Sequence, residues 1–251
     1  MKNLKGKVAI VTGGTRDIGR AVAIRLAEEG VKVCVNYCNN EQNAVETLKI
    51  LQGMGAEAII VKADVTKETE VKHLVGETVK VFGNTIDILV NVAGGIVGRK
   101  LITEQDDAWY EYLMDLNMKS VWLCTKEVVP YMPAGGSIVN FASQAGRDGG
   151  GPGASIYATS KAAVMCFTRS MAKELGPKGI RVNAVAPGMI NTSFHDRFTK
   201  PEGRENLHRT APLRREGEAM EVADLVCFLA SDGSSYLTGT NIDINGGCLF
   251  S

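Results

Sequence analysis

The chain has 251 residues, 45% of them hydrophobic, which is enough to bury the core of one α/β domain or of two smaller ones. Lys and Arg equal Asp and Glu at 28 each, so the net charge gives no indication of binding to nucleic acid or to an anionic membrane. The first apolar run, in MKNLKGKVAIVTGG, is short and ends in glycines, which predicts neither a membrane-spanning helix nor a signal peptide.

The six cysteines are scattered along the chain and show neither CxxC spacing nor a Cys/His pattern. This distribution predicts buried thiols in a reducing compartment, and hence a cytoplasmic protein with no metal site. Cys34 and Cys38 are close in sequence, but they belong to a strand-like run and its end, so we do not expect them to ligate a metal.

Seven short runs rich in Val, Ile and Ala alternate with longer stretches of helical periodicity. The runs are KVAIVT (7–12), VKVCVNY (31–37), AEAIIVKA (56–63), IDILVNVA (86–93), GSIVNFAS (136–143), IRVNAVAP (180–187) and NIDIN (241–245). Nearly continuous apolar runs are typical of strands that are covered on both faces. With no repeat, linker or change of composition, the pattern predicts one doubly wound (Rossmann) α/β domain over residues 1–251, with a parallel sheet of about seven strands.

A glycine-rich turn, TGGTRDIGR (12–20), lies between the first strand and the first helix. Gly13, Gly14 and Gly19 allow the backbone to turn sharply and to approach a pyrophosphate, which the free N–H groups of the helix start can hold. A tight strand-to-helix turn without a ligand is the alternative. Asp17 falls where the helix N-cap is expected, so we expect its carboxylate to cap the helix while its backbone serves the turn.

The second strand indicates which nicotinamide cofactor to expect. A carboxylate at its end would bind the ribose 2′-hydroxyl of NAD, but residues 34–40 contain none. Arg16 is available for the 2′-phosphate of NADP, unless it is a solvated loop charge. We therefore expect NADP(H) to be preferred, with NAD(H) possible.

A candidate catalytic pair lies in YATSK (157–161), at the start of a helical run. The spacing places Tyr157 and Lys161 on one face of the helix. An ammonium group near a phenol favours the phenolate, and we expect it to lower the pKa of Tyr157 toward the working range. Ser143, at the end of another strand, is suited to hold a carbonyl oxygen.

These motifs together resemble the short-chain dehydrogenase/reductase family over essentially the whole chain. TGGTRDIG, NVAG (91–94), Ser143, YATSK and the Pro-Gly of VAPGMINT (185–192) occur in the family's order and at similar spacings. Two positions depart from the pattern: Asp17 replaces the middle glycine of the turn, and Val92 replaces a second asparagine. The closest resemblance within the family is to 3-oxoacyl-[acyl carrier protein] reductases and related sugar and alcohol enzymes.

The resemblance implies a role for each matching residue. Tyr157 is implied as the acid–base residue and Ser143 as the residue that positions the substrate carbonyl. Lys161 is implied to lower the pKa of Tyr157 and to contact the nicotinamide ribose, and Asn117 to support a water of the proton relay. The residues expected to bind the cofactor are Gly13, Thr15, Arg16, Asp17, Ile18, Gly19, Asn36, Asp64, Val65, Asn91, Ala93, Gly94, Tyr157, Lys161, Pro187, Gly188, Ile190 and Thr192. The family also implies a homotetramer; the apolar stretch AAVMCFTRSMA (162–172) suits either an interface or the core.

The substrate is expected at residues 188–217, an irregular stretch long enough to form a substrate loop or lid. It carries several basic residues, among them His195 and Arg197, and Arg147 closely follows Ser143. If these basic residues face the site rather than solvent, they can bind a carboxylate while Ser143 and Tyr157 contact the carbonyl group. The expected substrate is then a small polar or carboxylated carbonyl compound, such as an oxo acid or a keto-uronate. Reductases that act on acyl carrier protein, which is acidic, usually carry basic residues before the fifth strand; YMPAGGSIVN has none.

Three classes of function follow from these patterns. The first is a carbonyl–alcohol oxidoreductase acting by hydride transfer, with reduction of a polar substrate as the main hypothesis and 3-oxoacyl-[acyl carrier protein] reduction as the alternative. The second is a lyase or epimerase of the extended branch, which needs a longer substrate domain. The third is a catalytically silent nicotinamide sensor or structural subunit, against which the intact Tyr157 and Lys161 argue.

Overall fold

Parallel strands and covering helices alternate along the chain in a computed structural model that describes residues 3–193 and 201–250. The strands are β1 (Val8–Thr12), β2 (Lys32–Tyr37), β3 (Ala58–Lys62), β4 (Ile88–Asn91), β5 (Ser137–Phe141), β6 (Arg181–Pro187), β7 (Ile190–Asn191), β8 (Gly217–Glu218) and β9 (Asn241–Ile244). The α-helices are α1 (Asp17–Glu28), α2 (Glu41–Gly53), α3 (Glu68–Phe82), α4 (Asp107–Met114), α5 (Ser120–Val128), α6 (Ala145–Asp148), α7 (Ser155–Leu175), α8 (Pro201–Thr210) and α9 (Ala219–Ala230). A π-helical segment, Asp115–Lys119, joins α4 to α5.

The main sheet has seven strands in the order β3-β2-β1-β4-β5-β6-β9, all parallel. The chain runs outward from β1 to β3 and then returns to place β4 on the other side of β1. Such a reversal leaves a crevice beyond the carboxyl ends of the central strands, where α/β proteins bind their ligands. The short strands β7 and β8 form a separate parallel pair at that edge.

Two apolar layers cover the sheet. On one face, Val22 of α1 and Val226 of α9 pack against the strands, and on the other face Leu74 of α3 and Leu123 of α5 do so. All five residues of β1 are buried, which explains why its sequence is continuously apolar rather than alternating.

The predicted doubly wound sheet is confirmed, because each of the seven apolar runs forms one of its strands. The stretch predicted to be irregular differs, since it contains the ten-residue helix α8. This helix starts with a proline, which suits a first helical position, and its polar sequence has no apolar stripe by which to recognise it.

The cysteines are less uniformly buried than predicted. Cys34, Cys124 and Cys227 are buried, Cys248 is half-buried, and Cys38 and Cys166 are exposed. None of the helices in the described residues combines the length and the apolarity needed to cross a lipid bilayer.

Candidate active site

The glycine turn brings backbone rather than side chains to the carboxyl edge of β1. Gly13 has a φ of 61°, in the left-handed region that glycine adopts without strain. A Cβ on Gly19 would lie 2.2 Å from the carbonyl oxygen of Gly13, so α1 can start this close to the turn only with glycine there. The first N–H groups of α1 have no acceptor within the helix, and with the helix dipole they favour an anion.

Asn36 and Thr15 support the turn. The Oδ1 of Asn36 accepts the N–H of Gly13 at 3.3 Å, and its Nδ2 donates to the carbonyl of Ala63 at 2.9 Å. The carbonyl of Thr15 accepts the hydroxyl of Thr47 at 3.2 Å. Both residues are buried and neither lines the cavity described below, so they support the turn, and their direct contact with a cofactor stays a prediction.

Asp17 does not cap α1. The N-cap residue is Arg16, which makes no side-chain cap hydrogen bond, and Asp17 is the first helical residue, with a φ of 48°. Its carboxylate instead accepts the backbone N–H of Ser193 at 3.0 Å and the Ser193 hydroxyl at 2.6 Å. The predicted capping role is therefore wrong, because the left-handed backbone turns the side chain away from the helix and toward the end of β7.

The loop after β4 forms a second wall. The N–H of Ala93 donates to Thr12 Oγ1 at 3.1 Å, which holds this loop beside the glycine turn. A Cβ on Gly94 would lie 2.7 Å from Asn117 Oδ1 and 3.1 Å from Lys161 Nζ. Glycine at this position therefore leaves an open surface directly beside two of the predicted catalytic residues.

Asn117 lies in the π-helical segment and is fully buried. Its Oδ1 accepts the N–H of Gly95 at 2.9 Å, and its Nδ2 donates to the carbonyls of Gly95 and Leu113, both at 3.0 Å. A local π-bulge is frequent at functional sites and here aims the amide at the loop after β4. Asn117 therefore holds the backbone of the Gly94 wall.

Tyr157 and Ser143 meet at the floor of the cavity. Tyr157, near the start of α7, is half-buried and lines the cavity together with Ser143, which follows β5. Burial raises the pKa of Tyr157, while Ser143 and the charge of Arg99 act in the opposite direction. The predicted lowering of this pKa is thus wrong for the protein alone, because burial outweighs the opposing effects of Ser143 and Arg99.

Lys161 lies one turn further along α7 and is 4% exposed. Its Nζ donates to the carbonyl of Phe141 at 2.8 Å and lies 6.0 Å from the centroid of the Tyr157 ring. Burial lowers the pKa of Lys161 to about 8. The hydrogen bond to β5 holds the ammonium group beneath Tyr157 and beside Gly94.

These walls border a cavity of about 770 Å³ that is open to solvent, along the carboxyl edge of the sheet. Most of the predicted site residues line it: Gly13, Arg16, Asp17, Ile18, Gly19, Ala93, Gly94, Ser143, Tyr157, Lys161, Pro187, Gly188, Ile190 and Thr192. Val92 lines it as well, so the second departure from the family pattern reaches the cavity and is not confined to the sheet. A Cβ on Gly188 would lie 2.7 Å from Asn245 Cβ, which shows how closely this wall packs on β9's end.

Three further predicted cofactor residues lie outside this lining. Asn91 is buried and donates to Asn140 Oδ1 at 2.9 Å, so it joins β4 to β5. Asp64 accepts the N–H and hydroxyl of Thr66 at 3.0 and 2.7 Å, and Val65 is buried beside it. The Asp64 carboxylate thus caps its own turn after β3, and the contact of these three residues with the cofactor stays a prediction.

Arg147 is not directed at the cavity. Its Nε donates to Asp243 Oδ1 at 2.8 Å and its Nη2 to the carbonyl of Asn241 at 2.6 Å, so it joins α6 to β9. The predicted substrate contact at Arg147 is therefore wrong: a carboxylate of the fold itself takes the guanidinium. His195 and Arg197, the other two basic residues predicted to contact the substrate, lie outside the described residues.

The cavity contains a cation that the sequence interpretation missed, Arg99. It follows NVAG by a few residues in the same loop, and its guanidinium donates to the carbonyl of Pro152 at 3.0 Å. No carboxylate of the described residues pairs with it. Its position shortly after NVAG, which was expected to contact the cofactor, is the sequence feature that could have identified it. Gln144 and Cys248 also line the cavity, and no local pattern marks either.

Comparison with known proteins gives full-length matches. Residues 13–248 match the family model described as enoyl-(acyl carrier protein) reductase. The 3-oxoacyl-[acyl-carrier-protein] reductase FabG of Staphylococcus epidermidis is 38% identical over 243 residues, covering 96% of this chain and 98% of the relative. The 3-oxoacyl-[acyl-carrier-protein] reductase of Synechocystis sp. is 40% identical over 250 residues, covering 98% of each chain.

Solved structures agree with these matches. A short-chain dehydrogenase/reductase from Serratia marcescens superposes with a TM-score of 0.92 at 33% identity, covering 98% of each chain. A blue fluorescent protein from a metagenomic library, in complex with NADPH, has a TM-score of 0.93 at 32% identity, covering 99% of this chain and 100% of the other. The NADH-dependent reductase A1-R′, responsible for alginate metabolism, has a TM-score of 0.90 at 34% identity over 100% of both chains.

Proposed function

The chain belongs to the short-chain dehydrogenase/reductase family, and on that premise we propose that it is an NADP(H)-dependent reductase that converts a carbonyl group to an alcohol. The observation that carries the proposal is the convergence of Ser143, Tyr157 and Lys161 on one floor of a cavity whose opposite wall is a glycine turn. The proton-donating group and the anion-binding turn thus share one crevice.

The residues fit a dinucleotide. The glycine turn and the start of α1 would hold the pyrophosphate, because they present N–H groups and no side chain at Gly13 and Gly19. Gly94 would leave room for a ribose beside Lys161, since a Cβ would meet the lysine Nζ at 3.1 Å. Pro187 to Thr192 would hold the nicotinamide end. When bound, the cofactor supplies the hydride that the carbonyl carbon accepts.

The side chains supply the proton. The raised pKa of Tyr157 keeps its phenol neutral at neutral pH, so it acts as an acid. Ser143 donates a hydrogen bond to the carbonyl oxygen, and Tyr157 Oη transfers its proton to that oxygen as it becomes the alcohol. Lys161 stabilises the resulting phenolate until solvent returns the proton.

Arg16 supports the preference for NADP(H). It lies at the rim of the cavity with its side chain 53% exposed, and residues 34–40 offer no carboxylate for a ribose 2′-hydroxyl. Relatives of both cofactor types exist, since one similar structure contains NADPH and another is of an NADH-dependent reductase. The ratio of kcat/KM for NADPH and NADH tests the preference.

The relatives support a 3-oxoacyl thioester as the first substrate to test. Two curated relatives at 38% and 40% identity over nearly their whole length are 3-oxoacyl-[acyl-carrier-protein] reductases. YMPAGGSIVN has no basic residues for docking an acidic carrier protein, but binding of a thioester on another carrier does not require them.

Arg99 favours a second candidate, a carbonyl compound with a carboxylate. Its guanidinium lines the same cavity as Tyr157, and no carboxylate of the described residues pairs with it. A guanidinium at such a position binds a substrate carboxylate through charge-assisted hydrogen bonds. The NADH-dependent reductase A1-R′, which matches over its full length, is responsible for alginate metabolism.

NADPH oxidation with an acetoacetyl thioester and with an open-chain keto-uronate, side by side, separates the two candidates. Arg99→Ala should raise the KM for the uronate about tenfold or more and leave the thioester nearly unchanged. Lys178→Ala, at an exposed position between α7 and β6, is the control, because it removes a cation outside both the cavity lining and residues 188–217. Turnover of neither substrate, with NADPH bound, would remove both candidates and leave the reaction class.

We also propose a homotetramer, as the family implies. Large apolar side chains are exposed on α4 and α5, at Tyr110, Tyr112 and Trp122, and near the chain's end at Phe250. Exposed aromatic clusters of this kind mark protein interfaces. Light scattering coupled to gel filtration gives the mass of the assembly, and a monomer would contradict this proposal.

A further inference from the structure

Two loops on opposite sides of the cavity are joined by one side chain. Asp17, in the glycine turn, accepts both the N–H and the hydroxyl of Ser193, at 3.0 and 2.6 Å. Arg16 donates to the same hydroxyl at 3.1 Å and lies 3.5 Å from the Asp17 carboxylate. We call this set of contacts the Asp17–Ser193 bridge.

The bridge crosses the site. The glycine turn follows β1, whereas Ser193 follows β7, which continues from β6; in the sheet, β4 and β5 separate β1 from β6. Asp17 and Thr192, the residue before Ser193, both line the cavity. The contact therefore joins two walls of the cavity, the glycine turn after β1 and the segment that follows β7.

The backbone of Asp17 shows that the position is adapted to this contact. Its φ of 48° lies in the left-handed region, which glycine adopts freely and which aspartate tolerates better than most residues. Glycine would satisfy the turn but would leave the N–H and hydroxyl of Ser193 without this acceptor. The carboxylate is three-quarters buried, with its side chain 24% exposed, so its hydrogen bonds are only partly screened by water.

We propose that Asp17 is a positioning residue for the cofactor: its bridge to Ser193 holds the two walls together over the bound dinucleotide and slows its release. The inference rests on the proposed function in that it requires a nicotinamide cofactor in this cavity. Arg16, 3.5 Å from the Asp17 carboxylate, partly offsets its negative charge, which reduces its repulsion of a phosphate. Asp17 acts through the protein wall and has no part in the chemistry.

The dissociation rate of NADPH, followed by its fluorescence after mixing with excess NADP⁺, tests the bridge. Asp17→Gly removes the acceptor and keeps the turn conformation, and it should release NADPH about tenfold faster, the effect of losing a hydrogen bond to a charged group. Ser193→Ala loses the hydroxyl alone and should give about a threefold increase. Asp17→Asn keeps an oxygen for the Ser193 N–H and tolerates the same φ, so it should restore most of the slow release.

The kinetic pattern separates positioning from general damage. In Asp17→Gly, the KM for NADPH should rise by a larger factor than the kcat changes, and the melting temperature should change little. Asp224→Asn is the matched control, because it removes a carboxylate that contacts α1 through Arg25, at 2.7 Å, away from the cavity. Unchanged or slower release in Asp17→Gly would overturn the bridge, as would equal effects of the glycine and asparagine variants. Failure of the wild-type protein to bind NADPH or NADH would instead refute the proposed function.

Discussion

Removal of the Lys161 ammonium group is expected to change how protein stability depends on pH. Burial lowers the pKa of Lys161 to about 8 in the folded protein, whereas a lysine in the unfolded chain titrates near ~10.4. Below pH 8 both states hold the proton, and the folded state bears the full cost of a buried charge. Between the two values the unfolded chain binds more protons, so the free energy of unfolding rises with pH.

The size of the effect follows from the two pKa values. At about 1.4 kcal/mol for each tenfold change in proton affinity, the buried charge costs about 3 kcal/mol below pH 8, and this cost disappears above about pH 10.4. Lys161→Met keeps a similar volume and loses the ammonium group. The stability of the wild type relative to this variant should therefore increase by about 2–3 kcal/mol between pH 7 and pH 10.

Urea unfolding of both proteins at several pH values, at one protein concentration, measures this difference. A single concentration is needed because subunit association adds to the apparent stability. Lys173→Met is the matched control, since Lys173 is exposed on the same helix α7 and its removal should not reproduce the pH-dependent difference. If the wild type and Lys161→Met remain parallel from pH 7 to pH 10, burial does not perturb this lysine and the reasoning about the cavity floor is wrong.

Three further predictions concern the cofactor and the proton. Tyr157→Phe should lower the kcat for carbonyl reduction about 10³-fold and leave the Kd for NADPH unchanged, as measured by turnover and fluorescence titration. Gly94→Ala should weaken NADPH binding at least tenfold, because the added Cβ would lie 2.7 Å from Asn117 Oδ1. Gly95→Ala is the control: Gly95 has a similar φ, 156° against 153°, but a Cβ there would meet nothing within 4 Å, so this variant tests backbone strain without a collision. Arg16→Ala should raise the KM for NADPH about tenfold more than the KM for NADH, and equal effects on both would remove Arg16 from 2′-phosphate recognition.

The fold was predictable from the sequence because each strand carries its own signal. A strand buried on both faces must be apolar at every position, and runs such as those of β1 and β4 show this without reference to their neighbours. The helix α8 gave no such signal, since its sequence, PEGRENLHRT, has no apolar stripe. Local periodicity predicts an element only where that element buries one of its faces.

The glycine turn and the catalytic helix were predictable for a related reason: spacing along one element determines which residues share a face. Tyr157 and Lys161 belong to α7, so their proximity follows from helix geometry alone. The sign of the Tyr157 pKa shift did not follow, because it depends on burial by residues from other elements, with Ser143 and Arg99 among its neighbours.

Contacts between distant loops were the part that sequence could not supply. Asp17 has the right chemistry for an N-cap, and Arg147 has the right chemistry for a substrate carboxylate, yet each found a partner far away in the chain, Ser193 and Asp243. A residue type states what a side chain can bind, whereas the packing of the elements decides which partner is in reach. Arg99 shows the converse: it lines the cavity although no local pattern marked it, because the loop after β4 brings it there.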